Sequence, residues 1–305
     1  MDAELAAALL LIPDMPFGDV AVARADLDKL VAAAPPTDAT GVRIEERFIP
    51  GPDGAPKVRV EILTPDSGAT DRPGVLDIHG GGFAIGSPKL DEALNVAIAR
   101  EIGAVVVSVD YRLAPEHPFP APAEDCYAAL VWFAQNAKEL GVDPARIAVL
   151  GDSSGGGLAA TTALLARDRG TPPLAMQVLL EPELDDRLET ESMMRGTDTP
   201  VWRYEKAVQS WDYYLAGQEA TPYAAPARMQ DLSGLPATYL TVNELDPLRD
   251  EGLDYAHRLL RAGVSTELHC WPGAYHGFNL VIEAQITQRA NRALIDTLRR
   301  GLSAS

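Results

Sequence analysis

Cysteine is scarce in this chain. Only Cys126 and Cys270 occur among 305 residues, too few for a disulfide scaffold or an all-cysteine metal cluster. Reduced thiols are expected of both rather than a bridge between them. Basic residues are also few, 26 Lys plus Arg against 44 Asp plus Glu, which gives a formal charge of −18. Such a chain repels phosphate backbones and anionic headgroups, so neither nucleic acid nor a membrane surface is an expected partner. No run reaches the roughly twenty apolar residues that a membrane span needs. The early apolar stretch 5–12 follows Asp2 and Glu4 instead of a basic region, so it does not read as a secretory leader. Internal repeats and low-complexity tracts are missing too. What is present, 47% hydrophobic and 23% charged side chains, describes a cytoplasmic globular protein with one large α/β domain, or at most two.

The first forty residues are rich in alanine, with apolar positions at helical spacing. They predict two short helices, broken by Pro13 and Pro16 and stopped at Pro35 and Pro36. Val42–Ile49 alternates imperfectly and 58–63 alternates cleanly, with Pro52-Asp-Gly54 as a turn, so the pair reads as an antiparallel hairpin at a sheet edge. Short, continuously apolar runs follow at 75–78, 104–109, 147–150, 175–180, 237–242 and 266–271. Helical stretches separate them near 91–102, 122–140, 155–167, 249–262 and 285–302. Continuous apolar strands alternating with helices imply a mostly parallel sheet of about eight strands, covered by helices on both faces. Residues 187–233 break the rhythm. They carry Trp202, Trp211, Tyr213 and Tyr214 but no strand run, and read as a mostly helical insertion. The expected division is therefore N-terminal cap helices at 1–40, a core in two parts at 41–186 and 234–305, and a cap insertion at 187–233. The cap pieces would cover the carboxyl edge of the sheet, where open α/β sheets place their ligands.

Gly151-Asp-Ser153-Ser-Gly155 stands between an apolar strand and an Ala/Leu-rich helix. A serine on such a turn projects its hydroxyl above the sheet, and the helix N-terminus presents free N–H groups to developing negative charge. A glycine-rich helix start needs no catalytic serine, so the strand–helix context carries the weight here. A second glycine run, His79-Gly80-Gly81-Gly82-Phe83, also follows a strand and can offer backbone N–H groups to an oxyanion. It fails as a phosphate loop, because no Gly-Lys-Ser/Thr follows and Ile85 takes the place of a third spaced glycine. His79 itself reads as structural, bonding the loop backbone.

A serine nucleophile needs a base, and the base needs a carboxylate. Five histidines are available. His117, in a proline-rich loop, reads as packed structure, His257 as helix surface, and His269 as a satisfied sheet residue. His276 differs because it follows the last strand in a turn, Pro272-Gly-Ala-Tyr-His276-Gly. Asp246 follows the preceding strand in the same manner, whereas Asp250 already lies within a helix. The order Ser153, Asp246, His276 is that of α/β-hydrolase enzymes rather than trypsin-like or subtilisin-like ones.

Together, His79-Gly-Gly-Gly-Phe83, Asp110-Tyr-Arg-Leu-Ala-Pro-Glu-His117, the Gly-Asp-Ser-Ser-Gly-Gly turn, Asp246-Pro-Leu-Arg-Asp-Glu251 and His276-Gly-Phe278 resemble the hormone-sensitive-lipase family of α/β-hydrolase esterases. The resemblance spans about 48–280. It implies an eight-stranded, mostly parallel sheet with a helical cap, and a carboxylesterase acting on small esters with short or medium acyl chains. By position, it implies Ser153 as nucleophile, Asp246 and His276 as its partners, and the N–H groups of Gly81, Gly82 and Ser154 as the oxyanion hole, with His79 and Gly80 supporting the loop. No metal or organic cofactor is implied. Dimerisation through the last strand or helix is a further implication.

Two departures stand out. Alanine is more frequent in that family where Ser154 stands, and Glu181-Pro-Glu183 replaces a frequent Tyr-Pro-x. The acidic run Glu181, Glu183, Asp185, Asp186, Glu189 and Glu191 lacks the spacing of a calcium loop, and reads as a solvated loop with a salt bridge to Arg187. Phe83, Trp202, Trp211 and Tyr214 are the candidate pocket walls, although aromatic residues at helical spacing also serve simply as packing. The same triad would also suit an amidase, a lactonase or an arylacetamide-type deacetylase. A non-catalytic small-molecule receptor is the remaining alternative. Plant gibberellin receptors resemble this family without its histidine, and here His276 is present.

Overall fold

The computed structural model describes residues 1–10, 12 and 14–303. Leu11 and Pro13, at the expected break after the first helix, lie outside the described residues. Two strands, β1 (Val42–Ile49) and β2 (Val58–Pro65), form the antiparallel hairpin, with Ile49 opposite Val58. Six more follow: β3 (Arg72–Ile78), β4 (Val105–Asp110), β5 (Val142–Asp152), β6 (Met176–Leu180), β7 (Ala237–Asn243) and β8 (Thr266–Trp271). They make one sheet in the order β1-β2-β4-β3-β5-β6-β7-β8. From β4 to β8 every neighbouring pair is parallel, and β2 joins β4 antiparallel. All seven residues of β3 are buried, because helices cover both of its faces and no side chain has water to turn to.

The helices are α1 (Ala3–Ala8), α2 (Val20–Ala33), α3 (Glu92–Ile102), α4 (Ala121–Gln135), α5 (Ser154–Arg169), α6 (Glu191–Arg195), α7 (Tyr204–Leu215), α8 (Arg249–Arg261) and α9 (Gln285–Gly301). One core layer joins Val96, Ile98 and Ala99 of α3 and Leu294, Ile295 and Leu298 of α9 to Val75, Val106 and Val178 of the sheet. The recurrence of α9's buried residues within successive turns gives it one apolar stripe, the pattern that seats a helix on a sheet. Each fully buried leucine contributes about 1.5–3 kcal/mol. The larger core, on the opposite face, is filled by α4, α5 and α8 and extends into the cap through Phe17, Trp202 and Trp211.

The N-terminal segment and the insertion hold each other. Lys206 and Arg203 pair with Asp14, and the Phe17 ring meets Trp202 edge-on at 5.3 Å. The insertion is less helical than its pattern suggested. Within 187–233 only α6, α7 and a 3-10 turn at Pro226–Arg228 are helical, since Gly196, Pro200, Gly217 and Pro222 interrupt the rest. Both cysteines are free, Cys126 buried in α4 and Cys270 exposed on β8. Among the described residues no helix is long and apolar enough to cross a membrane.

Candidate active site

β5 ends at Asp152 and α5 begins at Ser154, which leaves Ser153 alone on the turn with φ 57° and ψ −123°. A non-glycine residue held there stores about 1–3 kcal/mol of strain unless its surroundings fix it. They do. The Ser153 N–H donates to the Leu180 carbonyl at 2.9 Å, and its own carbonyl accepts from Glu183 N–H at 3.0 Å and Gly157 N–H at 3.1 Å. α5 can start so close to β3 only because residue 155 is glycine, since a Cβ there would strike the Ile78 carbonyl oxygen. The turn places the Ser153 hydroxyl 2.8 Å from Nε2 of His276.

His276 follows β8 on the Pro272–Phe278 turn, and Asp246 follows β7. Nδ1 of His276 lies 2.8 Å from Oδ2 of Asp246, whose Oδ1 accepts the Leu248 N–H at 2.9 Å. Those contacts set the tautomer, with Nδ1 protonated toward Asp246 and Nε2 free to accept from the serine hydroxyl. All three side chains are nearly buried. Burial alone would lower the pKa of the imidazole, but the carboxylates of Asp246 and Glu181, followed by Asp152, outweigh it and raise it above the ordinary value.

The glycine loop after β3 approaches the same point. Gly81 and Gly82 both have positive φ, 119° and 55°. A Cβ on Gly82 would press on the rings of Phe17 and Trp202, which fixes how closely the cap sits over the loop. Among the described residues no acceptor takes the N–H groups of Gly81, Gly82 or Ser154. His79 is fully buried and stacked on Tyr111 with ring centroids 4.3 Å apart. Its Nδ1 lies 2.7 Å from the Gly80 carbonyl oxygen, as expected of a loop-bracing histidine. Burial lowers its pKa to about 4, so the ring is neutral and braces the loop as a hydrogen-bond donor.

The acidic run departs from the expected solvated loop. Glu181, Glu183 and Asp185 are buried, because the segment leaving β6 passes beneath the cap toward the site instead of out to water. Asp185 does pair with Arg187 at 2.7 Å, and Asp186 pairs with Arg228. Glu181 Oε1 accepts the Gly277 N–H at 2.8 Å, and Oε2 lies 4.0 Å from Nδ1 of His276. Sequence reasoning missed this residue. Its signal was its position, directly after a buried strand, as with Ser153. The ligand atoms of Glu181, Asp246 and His276 fall within 4.8 Å of one another, a metal-like spacing. Each is committed to a hydrogen bond, and an ion would have to break the Asp246–His276 contact to use Nδ1.

Of the candidate pocket walls, Trp202 meets the site, its ring 5.7 Å from the imidazole of His276. Phe83 stacks on Tyr214 at 4.0 Å and meets Trp211 at 5.4 Å, so those three pack against one another. Against expectation His117 is exposed, because its loop is held through neighbouring Glu116 and Ala114 instead. His257 is exposed on α8, and His269 is satisfied by Glu267 at 2.9 Å.

A family model described as "alpha/beta hydrolase fold" matches residues 75–280. The carboxylesterase NlhH of Mycobacterium tuberculosis is 41% identical over 294 residues, which cover 93% of this chain and 90% of that one. A solved structure titled "Bacterial Heroin Esterase" is 50% identical, with a TM-score of 0.97 over 100% of this chain and 98% of that chain. The esterase LipW of Mycobacterium marinum is 40% identical, with a TM-score of 0.93 over 100% of this chain and 96% of that chain.

Proposed function

The chain belongs to the α/β-hydrolase family and is a hydrolase of carboxylic esters, and from that premise we propose a serine mechanism with an acyl-enzyme intermediate. The observation that carries it is the continuous contact from Ser153 Oγ to His276 Nε2 and from His276 Nδ1 to Asp246, 2.8 Å at each step. Ser153 Oγ attacks the ester carbonyl as Nε2 takes its proton, and Asp246 orients the imidazole and stabilises the imidazolium. The oxyanion rests on the N–H groups of Gly81, Gly82 and Ser154, each worth about 3 kcal/mol in the transition state. His276 then protonates the departing alcohol. Water, deprotonated by the same imidazole, releases the acid and restores the serine. No step needs a metal or an organic cofactor.

In this reading the cap, 1–40 with 187–233, selects a small-molecule ester with a short or medium acyl chain. The packing of Phe17 and Trp202 against Gly82 supports a confined acyl site. Amides and lactones would use the same groups and differ in leaving-group protonation and pocket shape. Ser153→Ala should abolish p-nitrophenyl butyrate hydrolysis while the thermal unfolding transition persists; near-normal turnover would rule the mechanism out. A series of nitrophenyl esters with matching anilides should peak at about four to eight acyl carbons with the anilides inert.

A further inference from the structure

Four adjacent strands end in polar side chains on one edge of the sheet. β5 leads into Ser153, β6 into Glu181, β7 toward Asp246 and β8 toward His276, and these strands are consecutive neighbours in the sheet. Glu181 thus directly follows the strand that lies between those leading to the nucleophile and the acid. Its backbone is fixed there with φ 37° and its N–H on the Thr241 carbonyl at 3.0 Å. Its side chain takes hold of both neighbours of His276. Oε1 accepts from Gly277 N–H at 2.8 Å, while Oε2 accepts from the Asn243 amide, which also donates to the Tyr275 carbonyl at 3.2 Å. On the Nδ1 side of the imidazole there are consequently two carboxyl groups, Asp246 at 2.8 Å and Glu181 at 4.0 Å.

We infer that Glu181 is a positioning residue for the catalytic base. It fixes the turn that carries His276 and adds a second carboxyl to support the imidazolium beside Asp246. The inference rests on the serine mechanism above. The other ionisable groups facing this centre are Asp152 at the end of β5 and Glu183 after β6, and among the described residues no lysine or arginine pairs with Glu181. One oxygen of Asp152 accepts from Asn279 at 2.9 Å, and the other has no hydrogen-bond partner among the described residues. Burial raises the pKa of both Asp152 and Glu181, and the charge of the His276 imidazole opposes that rise in each. In a site closed to water a charge about 4 Å away is strongly felt. As His276 takes the proton from Ser153, the Glu181 carboxylate adds to the field that favours imidazolium.

The test is the pH dependence of kcat/KM for p-nitrophenyl butyrate in Glu181→Gln and in Glu181→Tyr, the latter installing the side chain frequent in the resembling family. Removing the charge makes His276 a weaker base, so the acid limb should move down by about one pH unit or more. The plateau kcat should fall with KM held within about twofold, because the buried Glu181 carboxyl is taken up by Gly277 and Asn243. A merely structural role would lower kcat or raise KM at every pH with the limb unmoved, and that result overturns the inference. Asp246→Asn should retain activity above the Ser153→Ala background and lose about tenfold or more when Glu181→Gln is added. Asp246→Asn at background, or no further loss in the double variant, also overturns it. Full activity in Ser153→Ala would instead sink the serine mechanism itself.

Discussion

The guanidinium of Arg24, on cap helix α2, donates through Nε to the carbonyl oxygen of Ala84 at 2.9 Å. Ala84 continues the glycine loop directly after Phe83, so a cap residue holds the loop that faces Ser153. The same guanidinium donates to the Ala114 carbonyl and to both oxygens of Glu116. Arg24→Ala should cost about 1–3 kcal/mol of stability through the lost charge-assisted bonds. It should also lower kcat by about 10- to 100-fold, by letting the oxyanion donors drift. Glu116→Gln is the control. Glu116 is half exposed, and an exposed ion pair is worth about 0–1 kcal/mol. Urea unfolding and steady-state kinetics on the two variants separate these outcomes, and equal effects from both would refute the clamp.

Rate and stability should respond to pH in opposite directions. Burial pushes the carboxyl of Asp77 up to about 6 and that of Glu183 up to about 8. His276 is also raised, its carboxylate neighbours outweighing burial. Between the ordinary values and these raised ones the folded chain binds more protons than the unfolded chain, so stability falls as pH rises through that window. The proposed mechanism needs the neutral imidazole, so kcat/KM should climb over the same range. Thermal midpoints from about pH 6 to about pH 9 should decline while activity increases. Parallel trends would contradict the assignment of these buried protons.

Glycine replacements near the site should fall into two kinds. Gly155→Ala sets a methyl group against the backbone of β3, which cannot yield, and should destabilise by about 3 kcal/mol or more, as overpacking combined with backbone displacement does. Gly82→Ala meets the movable rings of Phe17 and Trp202 but sits at positive φ. Its main effect should be on the oxyanion donors, a loss of about 100-fold or more in kcat with a modest shift in melting. A Gly82→Ala enzyme with normal kcat would remove that loop from the chemistry.

Trp202→Ala should change which ester is preferred more than how fast the best one reacts. The indole lies between Phe17 and His276, so trimming it opens room beside the reacting carbonyl. Longer acyl esters should gain on butyrate by about 10-fold or more in relative kcat/KM, the discrimination expected of a few methylenes in an apolar pocket. An unchanged chain-length profile would place the acyl group elsewhere.

Much of the sheet could be read along the chain because buried parallel strands appear as uninterrupted apolar runs, as in 75–78 and 237–242. The candidate site residues are readable for a related reason. Ser153, Asp246 and His276 each follow such a run, and Gly81 and Gly82 follow another. Glu181 also follows one, but its importance depends on β6 lying between β5 and β7, and lateral order is set by pairing between distant segments. The burial of Glu183 beneath the cap was hidden likewise, since an acidic run looks solvated until something is known to cover it. The insertion reads as more helical than it is because the lack of a strand run does not separate helix from irregular chain, and its glycines and prolines interrupt the helices.

β6 and β7 are hydrogen-bonded neighbours, Leu180 beside Thr241, yet the chain travels through all of 181–236 before returning to pair. Nothing in the ladder depends on the length of that excursion. The scaffold can therefore accommodate a longer or shorter excursion there without disturbing the pairing of its strands.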